Sequence, residues 1–304
     1  MHEVPDVSVI IVNWNRLDDT LKGLRYLRFQ DDVWYEVVVV DNGSTDGSPG
    51  RLWREKGIKF IGLRSNVGPC EARNIGIENA RGRFVFFLDS DAILSKRKLA
   101  RLVERMDQDP TIGILACRII NGFTREIDQW IYSQPVMAFH RHEFDTYSFS
   151  AAGAIVRAQA LRDAGPFWDR LFIYTEEVDL SIRILRAGFR IVYYPDVRVY
   201  HCPSQQGRKS EGEHLRLQIR NWIWIFYRYY PSVFRMAKIA VYIMVYIIKG
   251  IYAGHLGECL LGIREGLANT EIIERFPDKL TWAEVRQIRA LNHRTSITLG
   301  RSAH

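Results

Sequence analysis

Unbroken runs of β-branched and other apolar residues recur in the first third of the chain. They span Val7–Asn15, Glu36–Asp41, Lys59–Leu63 and Arg83–Asp89. Such a run, in contrast to an alternating one, predicts a strand that is buried on both faces. Helical patterns at 17–29 and 68–80 lie between runs. Strands and helices alternating in this way predict an α/β domain with a mostly parallel, Rossmann-like sheet and helices on both faces.

The same alternation continues further along the chain. Residues 151–161 are typical of a strand that leads into a helix. In the next helical pattern, Asp179 and Arg183 are spaced to form an ion pair on one helix face. Gly188 follows as the helix end, and 189–194 are typical of a further strand.

The carboxyl ends of the predicted strands carry polar residues, among them Asn13, Asp41 and Asp89. Ligands of parallel α/β proteins bind at this edge of the sheet. Asp91 follows Asp89 by two residues, so both carboxylates can point to one side, where they repel each other unless a cation joins them. A divalent ion shared with substrate phosphates would do so. The alternative is a solvated turn in which Asp91 caps a helix at 94–106.

An Asp-x-Asp motif after an apolar strand also opens the haloacid-dehalogenase-type phosphatases. In those enzymes the first aspartate is the nucleophile, and Gly-Thr or Gly-Val usually follows the second. Here the sequence "DSDAIL" lacks that continuation, and at least two strands precede it. Despite these two differences, phosphatase activity is the first alternative function.

The composition changes in the last third of the chain. From His214 to Gly257 there is no acidic residue, whereas basic and aromatic residues are frequent. We therefore place a boundary between a catalytic domain at 1–212 and a C-terminal helical region at 213–304.

Within this region, one segment has two distinct helix faces. A basic and tyrosine face contains Arg235, Lys238, Tyr242, Tyr246 and Lys249. Aliphatic residues lie largely on the other face. The uncharged run 239–248 is too short to span a bilayer, which needs about 20 residues. The pattern predicts a helix at 235–252 that lies in an anionic membrane surface, or alternatively one that packs on the catalytic domain.

Charge and cysteine usage bear on location and partners. The formal net charge is +7, and the four cysteines are far apart with no Cys-x-x-Cys pair. A reducing cytoplasm fits this usage. The first residues, "MHEVPDVSV", are not typical of a secretory signal, and we find no nucleic-acid-binding motif. We expect a cytoplasmic protein at the inner face of the cytoplasmic membrane.

Six motifs then occur in order: "VSVIIVNWN", "VVVVDNGSTDGS", "NVGPCEARNIGIENARG", "FFLDSDA", "TEEVDLSIRILRAGFRI" and "VYH". Together they resemble the family 2 glycosyltransferases, which have the GT-A fold, over residues 7–203. The sequences of these motifs are similar to those of the rhamnosyltransferase-like bacterial branch, which builds cell-surface polysaccharide.

The resemblance implies a site for a nucleotide-diphosphate sugar. Asp41 matches the aspartate that binds the nucleobase, and Asp89 and Asp91 match the motif that holds Mg²⁺ or Mn²⁺ with the diphosphate. His201 matches a third metal ligand. The expected donor-binding residues are Asn13, Asp41, Asn66, Gly68, Arg73, Asp89 and Arg208.

The resemblance also implies a general base. The family usually has Glu-Asp where this chain has Glu176 and Glu177. We favour Glu177 as the base and leave Glu176 open, since two acids at a helix start also suit the helix dipole. The polar loop 203–213 suits closure over the nucleotide, with Arg208 and Lys209 near phosphate.

The predicted function is inverting, metal-assisted sugar transfer to a hydroxyl of a glycan or lipid-linked acceptor. A further alternative is a non-catalytic, membrane-associated scaffold that binds nucleotide sugar. The sequence "HRH" at 140–142 is either an acceptor-side patch or a surface turn.

Overall fold

The computed structural model describes residues 4–203, 209–268, 270, 273 and 279–293. Strands of this part form one nine-stranded sheet. The strands are β1 Val7–Asn13, β2 Tyr35–Asp41, β3 Lys59–Gly62, β4 Phe84–Leu88, β5 Ala92–Leu94, β6 Ile112–Asn121, β7 Phe144–Thr146, β8 Gly153–Arg157 and β9 Arg190–His201. The helices are α1 Leu17–Leu27, α2 Ser48–Leu52, α3 Pro69–Glu78, α4 Leu99–Gln108, α5 Val136–Phe139, α6 Ala158–Ala164, α7 Glu176–Arg186, α8 Glu211–Tyr229, α9 Ser232–Tyr252, α10 Leu256–Ala268 and α11 Trp282–His293.

The strand order is β3-β2-β1-β4-β8-β6-β9-β5, with β7 also paired to β9. The first four of these strands pair in parallel, as the apolar runs predict. Apolar side chains cover both faces of the sheet. One layer includes α1 and α4, and the other includes α6, α7 and part of α8. The α/β class and the helices on both faces are thus confirmed.

The other half of the sheet is mixed, so the expectation of a mostly parallel sheet is wrong there. β8 runs antiparallel to β4 and β6, and β5 and β7 run antiparallel to β9. A short antiparallel strand buried on both faces has the same apolar run as a parallel one, so the sequence does not reveal its direction. Because Gly153 lies opposite Leu88, the segment before β8 reaches the carboxyl end of β4.

The Asp-x-Asp motif is followed by a strand and not by the helix that we considered at 94–106. Ala92 begins β5, and α4 begins only at Leu99. Asp91 therefore does not cap a helix. Instead, β5 pairs with β9 so that Ala92 lies opposite His201. This pairing brings the end of β9 next to the aspartates.

Two C-terminal helices pack directly on the sheet domain: α8, which begins at Glu211 next to the predicted boundary, and α11, through Val285. Ile225 and Tyr229 of α8 belong to the apolar layer of that domain. The other side of α8 packs against α9 and α10. Among the described helices, none combines the length and apolar character needed to cross a bilayer.

Most of the basic and tyrosine face of α9 points inward, with Tyr242 and Tyr246 in the packing against α8 and Lys249 exposed. The Arg235 guanidinium lies 4.4 Å from the centre of the Tyr227 ring, and the Lys238 ammonium 5.2 Å from that of Tyr230. Part of the aliphatic face points outward, with Met244 and Ile251 56% and 60% exposed, whereas Ile239 is buried.

Candidate functional site

A cavity of about 630 Å³ opens at the carboxyl ends of β1 and β4. It brings together most of the residues that the sequence predicts for the site. Those that line it are Asn66, Arg73, Asp89, Asp91, Glu176, Glu177, His201 and Lys209. They come from loops, from α3 and α7 and from the end of β9, far apart in the chain, and the fold brings them to one edge of the sheet.

Two predicted donor-binding residues lie beneath the cavity and not in its lining. Asn13 and Asp41 are fully buried. Asp41 accepts hydrogen bonds at both carboxylate oxygens, from Asn13 Nδ2 at 2.6 Å and from the Ser44 backbone nitrogen at 2.9 Å. The next residue, Asn42, lines the cavity instead. A direct contact of Asp41 with a nucleobase thus stays a prediction, and in this conformation Asp41 fixes the turn under the cavity.

The predicted phosphate-side residues have different placements. Gly68 has a φ of +89°, and a Cβ there would lie 2.6 Å from the Phe172 ring, so its glycine permits close packing against the segment before α7. Asn66 Oδ1 accepts a hydrogen bond from the Gly68 nitrogen at 2.9 Å. Arg208 lies outside the described residues. Lys209 lines the cavity and forms an ion pair with Glu213 at 2.6 Å.

Asp89, Asp91 and His201 form a cluster whose possible ligand atoms all lie within 4.8 Å of one another. His201 Nε2 is 3.5 Å from Asp91 Oδ2, and His201 Nδ1 is 2.8 Å from Asp128 Oδ2. The Asp128 carboxylate fixes the ring orientation, in the manner of the carboxylates that support metal-bound histidines. Carboxylate oxygens with one imidazole nitrogen suit Mg²⁺ or, better, Mn²⁺.

The charges around this cluster are strongly coupled. Arg16 donates to Asp91 Oδ2 at 2.8 Å. Burial alone would raise the pKa of Asp91, but the hydrogen bond and charge of His201, together with Arg16, lower it. Burial also opposes the charged form of His201, yet Asp91 and Asp128 raise its pKa to about 9. When no cation is bound, the positive charge of the protonated imidazole thus partly neutralises the negative charge of the aspartates.

Arg73 joins the first aspartate to the acidic pair of α7. Its guanidinium lies 3.1 Å from Asp89 Oδ1 and 2.9 Å from Glu176 Oε1. Glu177 has no ion pair within the described residues, and burial followed by the charge of Glu176 raises its pKa to about 8. The two neighbouring acids therefore differ: Glu176 is held by Arg73, whereas Glu177 is a carboxyl group with a high proton affinity.

The backbone just before these acids is strained. Phe172, Tyr174 and Thr175 have φ values of +64°, +71° and +64°. Non-glycine residues rarely adopt this left-handed conformation, and each costs on the order of 1 kcal/mol or more. Thr175 directly precedes Glu176, the first residue of α7. The strained turn therefore sets the position of both acids.

Asn221 of α8 holds this turn in place. Its side-chain nitrogen donates to the carbonyl oxygens of Leu171, Ile173 and Tyr174 at 3.0, 2.8 and 2.8 Å. Asn221 is fully buried. Asn221 is not among the predicted site residues, because its partners become neighbours only when α8 packs on the sheet domain. A single amide among the apolar and aromatic residues of "RNWIWIF" is the only sequence signal for it.

Arg16, Asp128 and Gln129 also belong to the site, although no sequence pattern indicates them. Arg16 contacts Asp91, Asp128 contacts His201, and Gln129 Nε2 lies 3.4 Å from the same imidazole. None of these residues lies in a motif that we identified, and tertiary pairing alone brings them to the site.

Asn221→Ala is expected to lower kcat roughly tenfold or more while the KM for the donor changes little, because the acids of α7 lose their fixed position. Gln30→Ala is a matched control. Gln30 is also a buried amide, and its side chain makes three hydrogen bonds to the backbone of residues 95–99, away from the cavity. Both variants should melt at lower temperature, but only Asn221→Ala should lose turnover. Equal losses of kcat would contradict a positioning role.

Comparison with known proteins identifies one family. Residues 8–165 match the sequence profile of Glycosyl transferase family 2. The succinoglycan biosynthesis protein ExoO of Rhizobium meliloti (strain 1021) is 37% identical over 107 residues, which are 34% of this chain and 31% of ExoO. The pre-mycofactocin glycosyltransferase of Mycobacterium tuberculosis (strain CDC 1551 / Oshkosh) is 31% identical over 239 residues, or 72% of this chain and 44% of that protein. The chain thus spans less than half the length of either relative.

Solved structures show a similar fold. The mannosyltransferase PcManGT from Pyrobaculum calidifontis, in complex with GDP-Man and Mn²⁺, matches with a TM-score of 0.58. The match covers 95% of this chain and 80% of that chain, at 19% sequence identity. At this identity the likeness concerns the fold.

Proposed function

The chain belongs to glycosyl transferase family 2 and has a GT-A-like fold, and we propose that it transfers a sugar, with inversion, from a nucleoside-diphosphate sugar to a hydroxyl group. One observation carries this proposal. A single cavity holds the Asp89, Asp91 and His201 cluster beside the acidic pair Glu176 and Glu177. A site for the diphosphate and a base for the acceptor thus share one space.

The donor end of the cavity suits a divalent ion. Asp89, Asp91 and His201 would hold Mg²⁺ or Mn²⁺, and such an ion, when bound, neutralises the charge of the diphosphate leaving group. The side chain of Asp89 is 35% exposed, so one carboxylate is open toward the cavity. PcManGT, which was solved with GDP-Man and Mn²⁺, supports this choice of donor class and ion.

The base of the proposed reaction is Glu177. It takes the proton of the acceptor hydroxyl while that oxygen attacks the anomeric carbon. The bond to the nucleoside diphosphate breaks on the opposite side, so the configuration inverts. In its deprotonated form, a carboxyl group whose pKa burial raises to about 8 has the high proton affinity that suits a base. Glu176 and Asp89 each form an ion pair with Arg73, and we do not assign this role to them.

The sequence left two alternative functions open, a phosphatase and a non-catalytic scaffold. The family match removes the haloacid-dehalogenase-type phosphatase, and the Asp-x-Asp motif follows β4 and not the first strand. The non-catalytic scaffold would bind donor without turnover.

We propose a polysaccharide of the cell envelope as the pathway product, as the name of ExoO supports. The rhamnosyl group stays a proposal for the sugar transferred.

A thermal-shift panel tests the donor class. Uridine, guanosine and thymidine diphosphate sugars are each added with and without Mn²⁺. One donor is expected to raise the melting temperature, and more so with Mn²⁺, because a ligand that binds only the folded state stabilises it by mass action. Sugar transfer from that donor to a glycan or lipid-linked hydroxyl, with inverted configuration at the product, then tests the reaction. If no donor shifts the melting temperature, this function is wrong.

We also propose that the protein attaches to the cytoplasmic surface of a membrane through α9, where a lipid-linked acceptor would be found. The exposed aliphatic face includes Val241, Met244, Ile248 and Ile251. A contiguous apolar surface on a helix suits the boundary between headgroups and acyl chains. Its orientation follows from the packing, because the basic and tyrosine face is turned toward α8.

Met244→Asp combined with Ile251→Asp should abolish flotation of the protein with lipid vesicles, because charges replace the apolar contact. Trp53→Asp is the control, since Trp53 is 73% exposed on α2's C-terminal end, outside this face. Arg235 and Lys238 pack against aromatic rings, so changing them would test folding instead. If the wild-type protein does not float with vesicles of any composition, the membrane proposal is wrong.

A further inference from the structure

A second, larger cleft lies on the far face of β6 and β9. It has a volume of about 1410 Å³, and its lining includes Arg118 and Arg198. Alternate residues of a strand point to opposite faces, so Arg198 and Tyr200 face the cleft whereas His201 faces the first cavity. Gln129 lines the first cavity and Trp130 lines the cleft. The two spaces are therefore separated by β9 and by the segment that contains residues 129 and 130.

A buried guanidinium forms the floor of this cleft. Arg118 is 8% exposed, and its Nε has no hydrogen-bond partner among the described residues. One of its terminal nitrogens donates to the His140 carbonyl oxygen at 3.3 Å. A buried, charged donor without a hydrogen-bond partner destabilises the fold. The arginine side chain thus has donor capacity that the protein itself does not use.

The neighbour of Arg118 adds to this cost. Arg198 lies opposite Arg118 in the parallel register of β6 and β9, on the same face. Like charges directly opposite on paired strands destabilise a sheet. Burial, followed by the charge of Arg198, lowers the pKa of Arg118. The fold therefore keeps two arginines together where a bound anion would relieve their repulsion.

Further cations surround this pair. Basic residues outnumber acids in the lining, which contains Lys98, Arg101, Arg118, Arg125, Arg141 and Arg198 against Glu126 and Asp196. Asp196 lies 3.7 Å from Arg101, whereas Arg125 contacts the Tyr200 ring. No carboxylate within 4.0 Å is found for Arg118, Arg125, Arg141 or Arg198 in the described part of the chain.

The sequence "HRH" contributes to the same surface. His140 Nδ1 lies 2.8 Å from the Val136 carbonyl oxygen, which can only accept, so this nitrogen carries the proton. His140 Nε2 therefore accepts the hydrogen bond from Arg141 Nε at 3.2 Å. This pair of bonds orients the Arg141 guanidinium at the rim of the cleft.

We propose that this cleft is a second binding site, which takes a phosphate or diphosphate group of a molecule other than the sugar donor. Guanidinium groups present forked donors that match phosphate oxygens, and several unpaired cations together favour an anion of more than one charge. The phosphate belongs either to a soluble phosphorylated molecule or to a lipid headgroup. The site does not depend on the transfer reaction, because it shares no residue with the first cavity.

Pyrophosphate binding, measured by isothermal titration calorimetry in EDTA, tests the site without the divalent ion that would occupy the first cavity. The variant is Arg141→Gln with Arg198→Gln, since both residues are exposed and their loss spares the fold. The control is Arg25→Gln with Arg54→Gln, which removes the same charge from exposed positions elsewhere. Arg118→Lys keeps the buried charge but removes the fork.

We expect the wild-type protein and the control to bind pyrophosphate equally, the Arg141 and Arg198 double variant to bind at least tenfold more weakly, and Arg118→Lys to bind more weakly too. No binding by the wild-type protein, or equal binding by the double variant and the control, overturns the proposal. Flotation with phosphatidylcholine vesicles, with and without phosphatidylglycerol, then identifies the source. A double variant that loses only the phosphatidylglycerol-dependent flotation indicates a headgroup. Unchanged flotation with weakened pyrophosphate binding indicates a soluble ligand.

Discussion

Glu177→Gln is expected to lower turnover roughly hundredfold or more while the donor binds with nearly unchanged affinity. The amide has the same shape as the carboxyl group but cannot accept the acceptor's proton. Glu177 lines the cavity without an ion pair among the described residues, so its removal leaves no buried cation unpaired. Initial rates at saturating donor and acceptor, with donor affinity from titration calorimetry, separate chemistry from binding.

Glu176→Gln is the matched control, one residue away in the same helix turn. It should cost less turnover than Glu177→Gln, and it should weaken donor binding because Arg73 loses one of its two carboxylate partners. The order of the two variants decides the assignment. A larger loss of turnover in Glu176→Gln would show that the base is the other acid.

The wild type and Glu177→Gln should also differ in how their stability depends on pH. Burial raises the pKa of Glu177 from an ordinary value of 4.5 to about 8 in the folded state. As the pH rises from about 4.5 to about 8, the unfolded chain releases this proton and the folded protein keeps it, so the wild type loses stability. The melting temperature of metal-free Glu177→Gln should therefore exceed that of the wild type by a margin that grows up to about pH 8 and then stays constant. A margin independent of pH would contradict the raised pKa.

The first half of the sheet could be predicted because its strands are continuous apolar runs that end in polar residues. Asp89 and Asp91 follow such a run, whereas Glu176 and Glu177 are expected from the resemblance to a family motif; both pairs are local in sequence. The direction of β8 could not, because burial on both faces hides it. Nor could the role of Asn221, which depends on the docking of α8 against three carbonyl groups.

The helix α9 shows a second limit of pattern reasoning. Its spacing predicts a basic and tyrosine face and an aliphatic face, but Ile239 is buried beside the tyrosines and Lys249 is exposed. Which face is exposed depends on the neighbour, and α8 presents aromatic rings that attract cations as well as apolar groups. Lys238 lies near the rings of Phe226, Tyr230 and Phe234, so its charged end is accommodated within the packing. Hydrophobicity alone would have placed the aliphatic face there.

Asp91→Asn should remove the Mn²⁺-dependent part of donor binding, a loss of roughly a hundredfold in affinity, and should leave the metal-independent part intact. The amide is nearly isosteric, but it is a much weaker ligand for a hard cation than a carboxylate. Arg16 keeps a second carboxylate partner, Asp19, at 3.5 Å, so the fold should survive the change. The measurement is donor affinity by titration calorimetry with Mn²⁺ and with EDTA, together with the melting temperature of each protein.

Asp128→Asn is the graded control for this site, because Asp128 contacts His201 and belongs to no other part of the cluster. It should weaken Mn²⁺-dependent binding by roughly tenfold, since it affects the orientation and basicity of the imidazole and not a carboxylate ligand. The expected order of affinity in Mn²⁺ is wild type, then Asp128→Asn, then Asp91→Asn, with all three proteins alike in EDTA. If Asp91→Asn binds donor with the same Mn²⁺ dependence as the wild type, the ion is held elsewhere, and Asp89 and His201 lose their assigned role with it.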